Sequence, residues 1–270
     1  MLVEGSTVLT RNHVRVFGKG TKPIVFAHGF GCDQQVWSEV VSVFEKEYQV
    51  IVFDYVGSGK SDKTAYSPTR YSSLEGYALD LLEVCDALEL EKVVLVGHSV
   101  SSMIGVLAAN KKAALFEKLI MIGPSPCYLN DPPDYYGGFE KEDVDALLNM
   151  MEKNYNGWAK YLAPIIMKNE ERTSLTEGFE QTLCANDPII ARQFAEVTFL
   201  SDVRDELRKV TTPTLILQMR DDAIAPVEVG EYVHAQIKNS RLVLMQASGH
   251  NPHMSHPAET AACIQAYLAK

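Results

Sequence analysis

Apolar residues along the chain fall into short unbroken runs, separated by longer stretches in which they recur every three or four positions. Residues 23–27, 50–53, 93–96, 119–122, 214–218 and 241–245 are the runs. Short runs rich in β-branched side chains suit strands buried on both faces. The stretches 35–46, 74–88, 100–109, 227–237 and 257–268 carry apolar residues at helical spacing. Strand and helix therefore alternate, which predicts an α/β fold with a mostly parallel sheet of the eight-stranded type, covered by helices on both faces. Ahead of this rhythm, residues 7–9 and 13–17 read as the strands of an edge hairpin turning at Arg11-Asn12 and closed by Gly18-Lys19-Gly20.

The rhythm breaks between residues 128 and 200, where only helical segments are predicted, near 141–152, 155–167, 175–184 and 188–199. Residues 1–127 and 201–270 then form one core, and 128–200 form a helical insertion. Phe139, Trp158, Leu162, Phe179, Phe194 and Phe199 recur through the insertion, more apolar surface than a solvent-facing connector carries. Gluing the insertion to the core and walling a pocket are both open uses of these side chains.

Composition narrows the chemistry. A chain of 270 residues, 46% of them hydrophobic, supplies the core of one large domain with an insertion. Its formal charge of −10, with no basic run, argues against nucleic acid or an anionic membrane as a partner. Cys32, Cys85, Cys127, Cys184 and Cys263 are scattered and never in C-x-x-C spacing, as suits reduced thiols. No apolar run approaches the roughly 20 residues of a membrane span, and no charged-then-apolar leader opens the sequence. A soluble, cytoplasmic protein is expected.

The run 93–96 stops at Gly97 and leads through His98-Ser99-Val100 into a helix of small and apolar residues. A serine on a tight strand-to-helix turn projects its hydroxyl out of the sheet, provided that the residues two positions away are small. Gly97 satisfies this, and Ser101 stands where a second glycine is expected. Ser99 is thus the candidate nucleophile. A serine hydroxyl needs a base to take its proton and a carboxylate to orient that base. Asp221-Asp222 follows the run 214–218 and His250 follows the run 241–245, giving the order Ser, Asp, His. Asp222 is the choice, because Ala223-Ile224-Ala225-Pro226 follows it directly, with Asp221 as the alternative. His98 is read as packing, since neighbouring side chains in a tight turn diverge. His250, His253 and His256 have a metal-like density, but Pro252 and Pro257 interrupt them and no acidic or cysteine ligand accompanies them. No metal or other cofactor is expected. The backbone N–H groups of Val100 and of Phe30, in His28-Gly29-Phe30-Gly31, are placed to stabilise an oxyanion. The glycine-containing loop 54–62 lacks the spacing of a phosphate loop and reads as a solvated turn.

Together these residues resemble the α/β-hydrolase fold over the whole chain. The segments Asn12-His13-Val14, His28-Gly29-Phe30-Gly31-Cys32-Asp33-Gln34, Gly97-His98-Ser99-Val100 and 124–133 are similar to the group that holds the bacterial stress-signalling hydrolase RsbQ and the plant karrikin and strigolactone receptors, with the bacterial member as the nearer match. Gly137-Gly138-Phe139-Glu140 and Ser201-Asp202-Val203-Arg204 are similar to the plant members. The resemblance implies that the insertion is a four-helix lid over one apolar pocket, formed by Phe139, Trp158, Leu162, Phe179, Ala195 and Phe199 with Phe30 and Ile224. It implies a small, uncharged, mostly apolar ester or lactone as substrate, cleaved through an acyl-enzyme. It also implies the alternative of a sensor whose slow hydrolysis serves a protein partner, such as a PAS-domain phosphatase.

Overall fold

A computed structural model describes residues 4–269. Seven strands form one sheet: β1 (Arg15–Phe17), β2 (Lys22–Ala27), β3 (Tyr48–Val52), β4 (Val93–His98), β5 (Phe116–Ile122), β6 (Thr214–Asp221) and β7 (Ser240–Ser248). The order is β1-β3-β2-β4-β5-β6-β7, with β1 antiparallel to β3 and the remaining pairs parallel. The helices are α1 (Glu4–Arg11), α2 (Ser38–Val41), α3 (Leu74–Ala87), α4 (Val100–Lys111), α5 (Lys141–Lys153), α6 (Tyr155–Met167), α7 (Thr173–Cys184), α8 (Pro188–Leu200), α9 (Arg204–Leu207), α10 (Val227–Gln236), α11 (Pro252–Ser255) and α12 (Pro257–Leu268). None is long and apolar enough to cross a membrane among the described residues.

Side-chain alternation explains why the strand runs are continuously apolar. Ile24, Phe26, Val94, Val96, Ile120 and Ile122 enter the core shared with α2, α12 and the helices α5 to α8. Val25, Ala27, Val93, Leu95, Leu119 and Met121 enter the opposite core, under α3, α4 and α10. Neither face meets water, so both sets must be apolar.

Three expectations are corrected. Among the described residues the first strand of the edge hairpin does not form, and the sheet has seven strands rather than eight. Residues 7–9 lie in α1, where Arg11 reaches Glu83 at 2.6 Å and the buried Asp80 at 3.4 Å on α3. These tertiary contacts outweigh the β preference of Thr-Val-Leu. The helix expected over 35–46 is a 3₁₀ turn (Gln34–Trp37) followed by α2, and then by turns closed by Phe44 N–H to Val41 and Glu47 N–H to Phe44. The loop 54–62 is largely buried, not solvated. The Asp54 carboxylate accepts from the N–H groups of Gln34 at 2.8 Å and Lys60 at 2.9 Å, and thereby ties the loop beneath the β2 exit.

Local capping explains the starts of the inserted helices. Asp187 accepts from the N–H of Ile189 and Ile190, with Pro188 in the first turn of α8. Asn154 accepts from Gly157 N–H at the start of α6. Glu140 and Asp143 form a capping box on α5.

The turn from β4 to α4 sets the tightest steric condition. A Cβ on Gly97 would sit 2.6 Å from the Ser101 carbonyl oxygen and 2.8 Å from its carbon, both backbone atoms of the first turn of α4. Gly97→Ala is therefore expected to destabilise the protein by about 1–3 kcal/mol, the usual cost of overpacking. Urea titration measures it, and an unchanged midpoint refutes the steric account.

Candidate active site

All the candidate polar residues leave the carboxyl edge of the sheet, the edge at which parallel α/β sheets place their ligands. Ser99 follows β4 with φ 56° and ψ −123°, a strained conformation for a residue with a side chain. Its N–H donates to the Ile122 carbonyl at 2.8 Å, which pins the turn to β5. The hydroxyl lies 2.8 Å from His250 Nε2, and His250 Nδ1 lies 2.7 Å from Asp222 Oδ2. A carboxylate only accepts, so Nδ1 carries the imidazole proton and the bare Nε2 accepts the Ser99 proton. The other Asp222 oxygen accepts from the N–H groups of Ile224 at 2.8 Å and Ala225 at 3.1 Å. Asp221 instead turns outward, to Lys168 Nζ at 2.8 Å.

Ser101 has a use that the sequence pattern did not show. Its hydroxyl donates to the His28 carbonyl at 2.5 Å, and the Tyr55 hydroxyl, 3.0 Å away, therefore donates to Ser101. This hydrogen bond clamps the loop that carries Phe30 to the start of α4, where Val100 supplies an N–H with no carbonyl one turn earlier. Gly29 lies so close to the turn that a Cβ there would sit 3.4 Å from that of Ser99.

Tyr128 is a further residue of the site, outside the motifs that mark the serine, the aspartate and the histidine. Its hydroxyl is 3.2 Å from Ser99 Oγ. Since the Ser99 proton is directed to His250, the tyrosine is the donor. Burial pushes its pKa up to about 12, which keeps it a neutral phenol. Its place just past the end of β5, at the ligand-binding edge, is the signal that marks it.

The cavity over Ser99 is lined by Phe30, Tyr128, Leu162, Ile166, Phe179, Thr198, Phe199, Ile224 and Asn251, together with His98 and His250. Its volume is about 20 Å³, room for a single water. Of the expected wall, Phe30, Leu162, Phe179, Phe199 and Ile224 line it, while Phe139, Trp158 and Ala195 do not. Trp158 is fully buried behind Phe30, with ring centroids 6.1 Å apart. Phe139 sits behind Phe199, also at 6.1 Å, and Ala195 is buried in the helix packing. Ile166, Thr198 and Asn251 join the wall by convergence in space. A separate outer groove of about 1100 Å³, between α3 and α8, contains none of the candidate polar residues.

The histidines divide cleanly. His98 Nε2 donates to the His250 carbonyl at 2.9 Å and so fixes the height of that loop. His253 lies between Trp37, at 4.5 Å, and His98, at 4.3 Å, with both ring nitrogens buried and unpartnered. His256 Nδ1 meets the Ser255 hydroxyl at 2.9 Å. Among the described residues, no group of three metal-ligating side chains is assembled. The backbone N–H of His250 donates to the Ile166 carbonyl at 2.8 Å, joining the histidine loop to the last turn of α6.

Residues 22–257 match the family model for the alpha/beta hydrolase fold. The chain is 38% identical over 257 residues to the karrikin insensitive 2 receptor IA of Petunia hybrida, covering 95% of this chain and 93% of that one. It is 37% identical over 267 residues to a strigolactone esterase of Pisum sativum, covering 98% and 100% respectively. The solved structure of a hydrolase from Oleispira antarctica superposes with a TM-score of 0.97 at 44% identity, covering 100% and 99% of the two chains.

Burial pushes the His253 pKa down to about 3, with the His250 charge adding to the effect, and lowers that of His98 in the same way. An unfolded histidine takes up a proton below about pH 6.5, whereas the folded His253 stays neutral down to about 3. Over that window the unfolded state binds more protons, so the contribution to stability is full above pH 6.5 and falls as the pH drops, by up to about 1.4 kcal/mol per unit. His253→Phe removes the titration without removing a hydrogen bond. Its melting temperature is expected to match wild type at pH 7.5 and to exceed it at pH 4.5; parallel acid sensitivity in both proteins contradicts the assignment.

Proposed function

Because the chain belongs to the alpha/beta hydrolase family, we propose that it is a serine hydrolase cleaving a small, largely apolar ester or lactone. The observation that carries this reading is the relay from Ser99 Oγ to His250 Nε2, at 2.8 Å, and from His250 Nδ1 to Asp222, at 2.7 Å. Ser99 attacks the carbonyl carbon as His250 takes its proton. The developing oxyanion is held by the N–H groups of Phe30 and Val100, and Asp222 stabilises the imidazolium. His250 returns the proton to the leaving oxygen, leaving an acyl-Ser99. Water, activated by the same histidine, then releases the acid. In this reading residues 128–200 form a lid whose apolar wall selects the acyl group. No cofactor enters the cycle. A cytoplasmic location is part of the proposal and is supported by the five unpaired cysteines.

A second reading is favoured by one contact. The bond from His250 N–H to the Ile166 carbonyl ties the base to α6, so displacement of the lid by a ligand acts directly on the histidine loop. That coupling suits a sensor in which slow hydrolysis serves a protein partner. The names of the receptor relatives support it, as does the motif similarity to RsbQ, which extends the proposal to stress signalling with a PAS-domain phosphatase as partner.

Ser99→Ala is expected to abolish hydrolysis of p-nitrophenyl acetate in a folded protein, with near-wild-type turnover refuting the mechanism. Asp222→Asn is expected to lower kcat by about 10³–10⁴-fold through loss of the correct histidine tautomer. Asp221→Asn is expected to leave kcat within a few-fold of wild type, and the reverse order of damage would reassign the carboxylate.

Phe179→Ala enlarges the cavity at its wall and is expected to shift kcat/KM from acetate towards octanoate esters. An equal fall for all chain lengths would place Phe179 outside the acyl site. A loss of about 3–5 kcal/mol in stability is expected alongside, as for other buried phenylalanines.

A further inference from the structure

Thr198 lies on the wall of the Ser99 cavity and is 1% exposed, yet its hydroxyl has no hydrogen-bond partner. Within a helix a threonine hydroxyl ordinarily bonds to a carbonyl three or four residues earlier. In α8 this does not happen, and the Thr198 carbonyl is itself occupied by the Ser201 hydroxyl at 3.0 Å. Each of the other polar side chains of the wall donates to an acceptor within the protein. Ser99, His250 and Tyr128 bond to one another, and Asn251 donates to the Met167 sulfur at 3.3 Å. His98 donates to the His250 carbonyl, and its other nitrogen, a bare acceptor without a partner, faces Gly29, where a Cβ would come within 2.5 Å of it. Thr198 therefore presents the uncommitted hydroxyl among the described wall residues, in surroundings otherwise formed by Phe30, Leu162, Ile166, Phe179, Phe199 and Ile224.

A buried hydroxyl without a partner is costly, and the cost is recovered when a ligand supplies the missing group. We propose that Thr198 is a specificity residue whose hydroxyl donates to a second oxygen of the substrate, one distinct from the scissile carbonyl. This deepens the serine-hydrolase reading and rests on it: the substrate class narrows from plain hydrocarbon esters to oxygenated ones, carrying an ether, ring-oxygen or carbonyl acceptor. A pocket built to hydrogen-bond one substrate atom discriminates against the analogue that lacks it.

T198V tests this, because valine keeps the shape and removes only the hydroxyl. The comparison uses carbon–oxygen isosteres: p-nitrophenyl methoxyacetate against butyrate, and 3-methoxypropanoate against pentanoate. For at least one pair, T198V is expected to lower the oxygen-to-carbon ratio of kcat/KM by about 3–10-fold, the worth of one neutral hydrogen bond. The melting temperature is expected to stay equal or rise. Unchanged ratios in both pairs overturn the proposal, and so does a lower melting temperature, which would show that the hydroxyl serves the fold. A second arm measures binding of the corresponding ethyl esters to Ser99→Ala with and without T198V by calorimetry, where the same change in the ratio of Kd values is expected. Hydrolysis that persists in Ser99→Ala discards the serine-hydrolase reading alone, and the binding ratio then decides Thr198.

Discussion

The backbone of Ser99, held at φ 56°, is the constraint on which the rest of the site depends. A residue with a side chain occupies that region only when its surroundings force it. Three features do so here. Gly97 lets the first turn of α4 approach β4, the Ile122 carbonyl takes the Ser99 N–H, and the Ser101 hydroxyl holds the His28 carbonyl against the same turn. One rigid unit therefore carries the candidate nucleophile and both candidate oxyanion donors. The hydroxyl at position 101, where a glycine would leave nothing, adds a hydrogen bond to the close approach at Gly97.

Around that unit, each proton has one consistent address. Asp222 receives two backbone N–H groups on one oxygen and the imidazole on the other, so its charge is compensated without a buried cation. His98 steadies the His250 carbonyl from below, while burial keeps both His98 and His253 neutral. The neutrality matters because a second positive charge in contact with His250 would oppose protonation of that ring. Tyr128 adds a phenolic donor to Ser99 Oγ.

Aromatic packing above the site closes the cavity to about 20 Å³. The Phe30 ring meets Trp158, Phe194 and Phe199 edge-on, and Phe199 meets Tyr128 at 5.0 Å. A molecule larger than a water fits beside Ser99 only if these rings or their helices move apart. The backbone bond between His250 and Ile166 joins α6 to the histidine loop.

Short-range demands of the chain were written in its sequence. A strand buried on both faces requires an unbroken apolar run, so β2, β4 and β5 announce themselves, and a strand-to-helix turn requires small neighbours, which marks Ser99. His250, past the last strand, is legible for the same reason. What the sequence left open depended on contacts between distant residues. Arg11 becomes helical because its partners, 69 and 72 positions away, lie on α3. Asp221 and Asp222 are chemically identical neighbours, and the irregular register of β6 between Met219 and Asp221 turns one outward and the other towards His250. Trp158 and Phe139 have the composition of a pocket wall yet stand one layer behind it, while Tyr128 and Thr198 enter the site from segments that no local pattern joins. Periodicity shows that a side chain is buried. Only the packing of one element on another decides what it is buried against.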